Sequence, residues 1–147
     1  MDKVQTLKAI EDARNAHIAQ MQKIDNWMNS QKVDNPTAVL KTECSFGLWL
    51  YKEENRVEDI LGNQFYEKID ILHAKWHEEY ARVYKIFYKE KKTGFFAKFK
   101  KEEEIDSLAL DKAKLYYQEL QETTEQLLKV IAASHRRIEA LSDSKFT

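Results

Sequence analysis

Cysteine and histidine, the side chains best suited to metal binding and nucleophilic work near neutral pH, are scarce here: one cysteine and four histidines in 147 residues. Cys44 opens the stretch Cys44-Ser45-Phe46-Gly47-Leu48-Trp49-Leu50, and three histidines are placed to meet it. His17 precedes it in the apolar stripe of an apparent helix. His73 and His77 follow it at i and i+4, so their imidazoles project from one side of a helix, one turn apart. One thiolate and three neutral imidazoles make a complete tetrahedral ligand set for zinc, with a formal charge of +1 at the site. Zinc would lower the Cys44 pKa enough to bind it as thiolate at neutral pH. Each imidazole then needs an acceptor for its other ring N–H. Asp70 and Glu78 are candidates by nearness in sequence. His135, four residues after Ile131, reads as a core-edge or surface residue and not as a ligand.

Several elements must deliver these donors. Val4, Leu7, Ile10, His17, Met21, Ile24 and Met28 recur at helical intervals, predicting a first helix over about Lys3–Gln31. Asp34-Asn35-Pro36 breaks the chain, with Asn35 as N-cap and Pro36 as first helical residue. A second helix is expected over Thr37–Glu53, with Leu40, Cys44, Gly47, Leu48 and Tyr51 on one face. Gly47 costs that helix about 1 kcal/mol, which points to a close approach by another helix or ring. Phe46 and Trp49 would wall the site off from water. A short segment over Val57–Leu61 stops at Gly62-Asn63. A long helix follows over Gln64–Lys91, with Phe65, Ile69, Leu72, Trp76, Tyr80, Val83 and Phe87 as its stripe. After a break at Thr93-Gly94, a last helix runs from Glu102 or Ile105 to Leu141 on Ala113, Tyr116, Leu120, Leu127, Ile131, Ile138 and Leu141. The expectation is all-α: an antiparallel four-helix-type bundle with one extra short helix.

Composition bounds the rest. A chain of this length is one domain, residues 1–147, and its 43% hydrophobic content suffices for a core. Three glycines and one proline leave few places to turn, which favours long helices. A net charge of −1 gives no general bias toward nucleic acid or acidic lipid. A lone cysteine excludes an internal disulfide and fits a reducing compartment. The N-terminus lacks a signal-peptide pattern, and no apolar run is long enough to span a bilayer. A cytoplasmic protein without membrane insertion is expected.

Other readings compete with zinc. A buried cysteine or histidine is commonly just a core residue, and Trp27, Trp49 and Trp76 read as core or interface groups. A di-iron site would need paired Glu and Glu-x-x-His motifs, which are missing. A zinc hydrolase needs an open coordination position, which four protein ligands close, so an enzyme is not expected. A metal-free helical interaction module could draw on Tyr116-Tyr117 and on Phe95, Phe96 and Phe99, which lie among lysines 89, 91, 92, 98, 100 and 101. Glu102-Glu103-Glu104 offsets that charge and favours a simple connector.

Cys-x-Phe-Gly-x-Trp-Leu, followed by Tyr51, resembles the signature of the chemoreceptor zinc-binding domain. The histidine of that family's first helix falls on His17, its cysteine on Cys44, and its His-x-x-x-His pair on His73 and His77. The resemblance covers about residues 5–90; the last helix, about 102–141, matches only as a helix. It implies a cytoplasmic bundle that binds Zn2+, forms a homodimer, and regulates an attached chemoreceptor or diguanylate cyclase. In some members the zinc-bound cysteine is thought to react with hypochlorous acid. Oxidation of Cys44 would remove a thiolate ligand, and no second cysteine could resolve the product within the chain. No signalling hairpin or cyclase is visible in this sequence, so it is either a stand-alone member acting in trans or part of a longer protein. The family's frequent tryptophan three residues after the first histidine is Gln20 here. The expected role is a zinc-responsive regulator, with a redox sensor at the same site as the alternative.

Overall fold

The computed structural model describes residues 1–29, 31, 33, 36–87 and 107–146. Among the described residues there are five α-helices and no strand: α1 (Lys3–Met28), α2 (Ser45–Leu50), α3 (Val57–Leu61), α4 (Asn63–Phe87) and α5 (Ser107–Ala140). Two 3-10 turns, Glu53–Asn55 and Asp143–Phe146, complete the order. The expected all-α bundle is present. The proposed break at Thr93-Gly94, the aromatic–lysine run, the Asn35 cap and the start of the last helix lie outside the described residues.

Long-range contacts fix the directions. Lys3 Nζ donates to the carbonyls of Glu139 and Leu141, both at 2.8 Å, and Thr124 Oγ1 meets Met21 Sδ at 3.2 Å. The start of α1 therefore lies beside the end of α5, and the two run antiparallel. Along α4, Phe65 faces Arg137, Trp76 Nε1 donates to Thr124 Oγ1 at 2.8 Å, and Arg82 pairs with Glu119. Numbers rise on α4 as they fall on α5, so this pair is antiparallel too. α1 and α4 run parallel: the His17 ring sits by Trp76, and Trp27 by Tyr84 and Phe87.

α1 starts where Asp2 caps Gln5 N–H and the Gln5 side chain returns the bond, a capping box that satisfies two otherwise unpaired donors. Its buried residues are Thr6, Ile10, Ala13, His17, Ile24 and Trp27. Val4, placed in the stripe by its spacing, is 75% exposed. Thr6 takes the inward position and satisfies its hydroxyl on Asp2 O at 2.8 Å. α4 and α5 bury Ile69, Trp76, Tyr80, Val83, Leu120, Leu127, Ile131 and Ile138, as the spacing predicts. Gly62, at φ 82°, ends α3 in a conformation few side chains adopt.

The second helix is the main correction. Only Ser45–Leu50 is helical, and residues 36–44 form bends and turns. Leu40 and Leu48, expected on a shared inner face, are 57% and 61% exposed. The segment still fills the fourth position of the bundle, running antiparallel to α4. The Thr37 carbonyl accepts from Tyr80 OH at 2.9 Å, and the Val39 carbonyl lies 2.8 Å from His77 Nδ1. Lys41 Nζ reaches Asp70 at 2.9 Å. Carbonyls two residues apart thus serve side chains of α4. An α-helix would turn those acceptors back on itself, so contacts with α4 override the local helical pattern.

Candidate metal centre

Three of the four sequence-derived ligands meet in the bundle. The ligand atoms of Cys44, His73 and His77 lie within 4.8 Å of one another, and all three residues are buried. Cys44 Sγ is 3.2 Å from His73 Nε2, and His73 Nε2 is 3.1 Å from His77 Nε2. His17 stands outside that group of three but against it. Its ring centroid is 5.5 Å from that of His73, 5.3 Å from Phe46 and 5.2 Å from Trp76. His135 keeps a partly exposed place 3.5 Å from Glu139 on α5, as expected.

The hydrogen bonds fix which ring nitrogen is free. His17 Nδ1 lies 3.0 Å from the Ala13 carbonyl, and His77 Nδ1 lies 2.8 Å from the Val39 carbonyl. A carbonyl only accepts, so each Nδ1 carries the proton and each Nε2 keeps its lone pair. For His73 the argument takes one more step. Tyr51 OH donates to Asp70 Oδ1 at 2.6 Å, so its oxygen accepts from His73 Nδ1–H at 3.2 Å. Asp70 is the one of the two proposed carboxylates that supports the site, and it does so through Tyr51. Glu78 is exposed.

This donor set fits a cation. Two imidazole lone pairs face each other across 3.1 Å, and the Cys44 thiol proton can satisfy only one of them. A tetrahedral zinc with bonds of about 2.0 Å to nitrogen and 2.3 Å to sulfur puts ligand atoms roughly 3.3–3.6 Å apart. The Cys44–His73 and His73–His77 spacings fall within a few tenths of an ångström of that.

Electrostatics favour neutral ligands. Burial, with the neighbouring charges of His77, His17 and Lys41, pushes His73 down to about 2. Burial also takes His77 down to about 4 and lowers His17. All three are therefore neutral imidazoles, the form that binds metal. Burial pushes the Cys44 thiol up, against the Gly47 N–H at 3.2 Å that favours thiolate. Burial also raises Asp70, but hydrogen bonds from Tyr51 and Lys41 outweigh it and keep the carboxylate ionised.

Cys44 has two roles in the fold. Its backbone is extended, with φ −73° and ψ 155°, and its sulfur caps the first turn of α2. Gly47 is required for a different reason from the one expected. A Cβ there would lie 1.7 Å from the Lys41 carbonyl oxygen, so the close neighbour is the chain entering the site and not another helix or ring. Phe46 is buried edge-on to His17 and His73, and Trp49 stacks on Phe46. Phe46 flanks the site as the sequence suggests, whereas Trp49 stands behind Phe46 and touches no ligand residue.

Sequence reasoning missed the backbone acceptors, which carry no side-chain signal, and it missed Glu79. That carboxyl is 5% exposed, accepts from Thr123 Oγ1 at 2.9 Å, and lies away from the cluster on the α5 side of α4.

A helical bundle that converges a thiol and imidazoles on one buried point defines a helical metal-binding module. Residues 17–84 match the chemoreceptor zinc-binding domain family, a stretch of just under half the chain that begins at His17 and takes in Cys44, His73 and His77. The family matched is the one the sequence resembles. No curated protein and no solved structure matches the chain. Among the described residues no helix is long and apolar enough to cross a membrane.

Proposed function

We propose that the chain is a zinc-binding regulatory module of the cytoplasm, in which His17, Cys44, His73 and His77 hold one zinc ion and its occupancy governs a signalling output. The observation that carries this reading is the convergence of three donors: Cys44 Sγ lies 3.2 Å from His73 Nε2, His73 Nε2 lies 3.1 Å from His77 Nε2, and all three atoms fall within 4.8 Å of one another. Three nitrogens and one sulfur suit zinc better than harder cations. His17 supports a fourth bond because its Nδ1 is committed to Ala13 and its ring already borders His73. Bound zinc would keep Cys44 as thiolate at neutral pH.

The chain's own residues supply the coupling. His73 and His77 hold fixed positions on α4. Cys44 ties the start of α2 to them, and Val39 and Lys41 tie the preceding segment. Loss of the metal therefore frees residues 36–51 first. Four protein donors leave no open position for substrate, so the role is binding and not catalysis. A homodimer, and a chemoreceptor or cyclase in the same or another chain, are the partners this reading calls for.

Metal content by elemental mass spectrometry tests it, using protein purified without added metal. About one zinc per chain is expected for a four-ligand site, with less in Cys44→Ala and His77→Ala. No zinc in the wild type, even after zinc is supplied, contradicts the reading and leaves the metal-free interaction module.

The place of Cys44 in the lining of a cleft favours a second use of the same site, as an oxidant sensor such as one for hypochlorous acid. Oxidation of the sulfur would cost the site a ligand. Zinc release that keeps pace with Cys44 oxidation supports that use, and release without oxidation supports sensing of zinc itself.

A further inference from the structure

The metal centre is closed on one side and open on the other. His73 is fully buried under Tyr51, whose hydroxyl is held by Asp70. On the opposite side a cleft of about 210 Å³ opens between α1 and residues 36–46. His17, Cys44 and His77 all line this cleft, and His73 does not. Residual exposure agrees: Cys44 keeps 9%, His77 4% and His17 3%, against 0% for His73.

Gln20 lies one turn beyond His17 and also lines the cleft. Its Oε1 is buried without a hydrogen-bond partner. A buried amide oxygen in that state costs roughly 1–3 kcal/mol, and a donor entering the cleft would relieve it. Lys23 and Glu43 contribute one charge of each sign to the lining, so the cleft has no net preference for anions or cations. Its volume is below the ~300–1,000 Å³ typical of pockets for drug-sized ligands, which suits an amino-acid-sized molecule.

We infer that this cleft is the route by which small nitrogen- and sulfur-donor molecules, of the size of free cysteine or histidine, reach and remove the metal, with Gln20 as its gate. The inference rests on the zinc reading above and concerns how that site exchanges. An incoming donor approaches from the His17–Cys44–His77 face and takes over coordination. No covalent bond of the protein forms or breaks.

The test is zinc transfer from the loaded chain to free cysteine and to free histidine, followed by stopped-flow, in wild type, Gln20→Trp and Gln20→Ala. In the wild type the rate should rise in proportion to the concentration of either probe. Gln20→Trp fills the cleft; transfer should slow at least about fivefold and lose its concentration dependence, because release then waits on local opening. Gln20→Ala widens the cleft, and transfer should quicken. Equal transfer rates in Gln20→Ala and wild type overturn the route, even if Gln20→Trp proves unfoldable. So does unchanged transfer in a folded Gln20→Trp. Zinc content before mixing separates the two claims. A chain that never loads overturns the zinc reading and the route together, whereas a loaded chain indifferent to Gln20 overturns the route alone.

Discussion

His73 and His77 reach the metal centre from the middle of a 25-residue helix, whereas Cys44 reaches it from the junction of a bent segment and a six-residue helix. The histidine side is held by the core: Ile69, Trp76, Tyr80 and Val83 of the same helix are each 1% exposed or less. On the cysteine side Phe46 and Leu50 of the short helix are buried, but the segment leading to Cys44 is held by individual polar contacts, namely Tyr80 on Thr37 O, His77 on Val39 O and Lys41 on Asp70. Core burial of a large apolar side chain contributes roughly 1.5–3 kcal/mol, and a net hydrogen bond about 1. The two donors from α4 are thus a fixed jaw, and Cys44 is the jaw that can move. A metal site built this way reports its occupancy through the weaker element.

The largest effect should separate the two jaws. Removing any one ligand should weaken zinc binding roughly 10²–10³-fold, a quarter share of the ~10–16 kcal/mol typical of structural zinc. His73→Ala and Cys44→Ala should lose similar affinity, measured by chelator competition. Hydrogen exchange should differ between them: Cys44→Ala also uncaps α2 and deprotects residues 45–51 more. Equal exchange patterns would break the distinction.

Gly47→Ala comes next. The added methyl cannot coexist with the Lys41 carbonyl at 1.7 Å, so the segment before Cys44 must shift. A loss of about 3 kcal/mol in denaturant unfolding is expected, at the upper end for overpacking, together with weaker zinc binding. The cost should vanish if the moving jaw is already detached by Cys44→Ala.

Tyr51→Phe removes the acceptor for His73 Nδ1–H while leaving the ring. Zinc affinity should fall about 10–100-fold, as for other partners of ligating histidines, and the metal-free chain should lose roughly 1–3 kcal/mol because a buried N–H is left without an acceptor. Asp70→Asn should act in the same direction through Tyr51.

The smallest effect is acid sensitivity of the metal-free protein. His77 is held at about 4 and His73 at about 2 by burial, below the ordinary value of 6.5. With folded pKa values depressed, the unfolded chain binds protons first. The stability these groups confer is complete above about pH 6.5 and is lost as pH falls toward 4 and below. Melting temperature against pH should fall in that window for the wild type and less for His73→Gln.

The sequence made the fixed jaw legible and the moving one only in part. On α4 and α5 local helical pattern and core burial agree, so the stripe through Ile69, Trp76, Tyr80 and Val83 could be read directly. Between Pro36 and Tyr51 they conflict. Leu40, Cys44, Gly47 and Tyr51 keep helical spacing, yet the carbonyls of Thr37 and Val39 are taken by Tyr80 and His77, more than 35 residues away. No local pattern encodes such partners. The identity of Cys44, His73 and His77 as neighbours was legible from rarity and spacing, because few other residue types in the chain can ligate a soft metal. The Tyr51–Asp70 support was half legible: Asp70 by its nearness to His73, Tyr51 only as a companion of the cysteine signature. The acceptors on Ala13 and Val39 are backbone and leave no trace in composition.

X-ray absorption at the zinc edge of the loaded chain tests the central claim most directly. The account predicts four ligands, one sulfur at about 2.3 Å and three nitrogens at about 2.0 Å, with one nitrogen lost in His17→Ala and the sulfur lost in Cys44→Ala. A shell of oxygen and nitrogen without sulfur, or one unchanged by both substitutions, would contradict it.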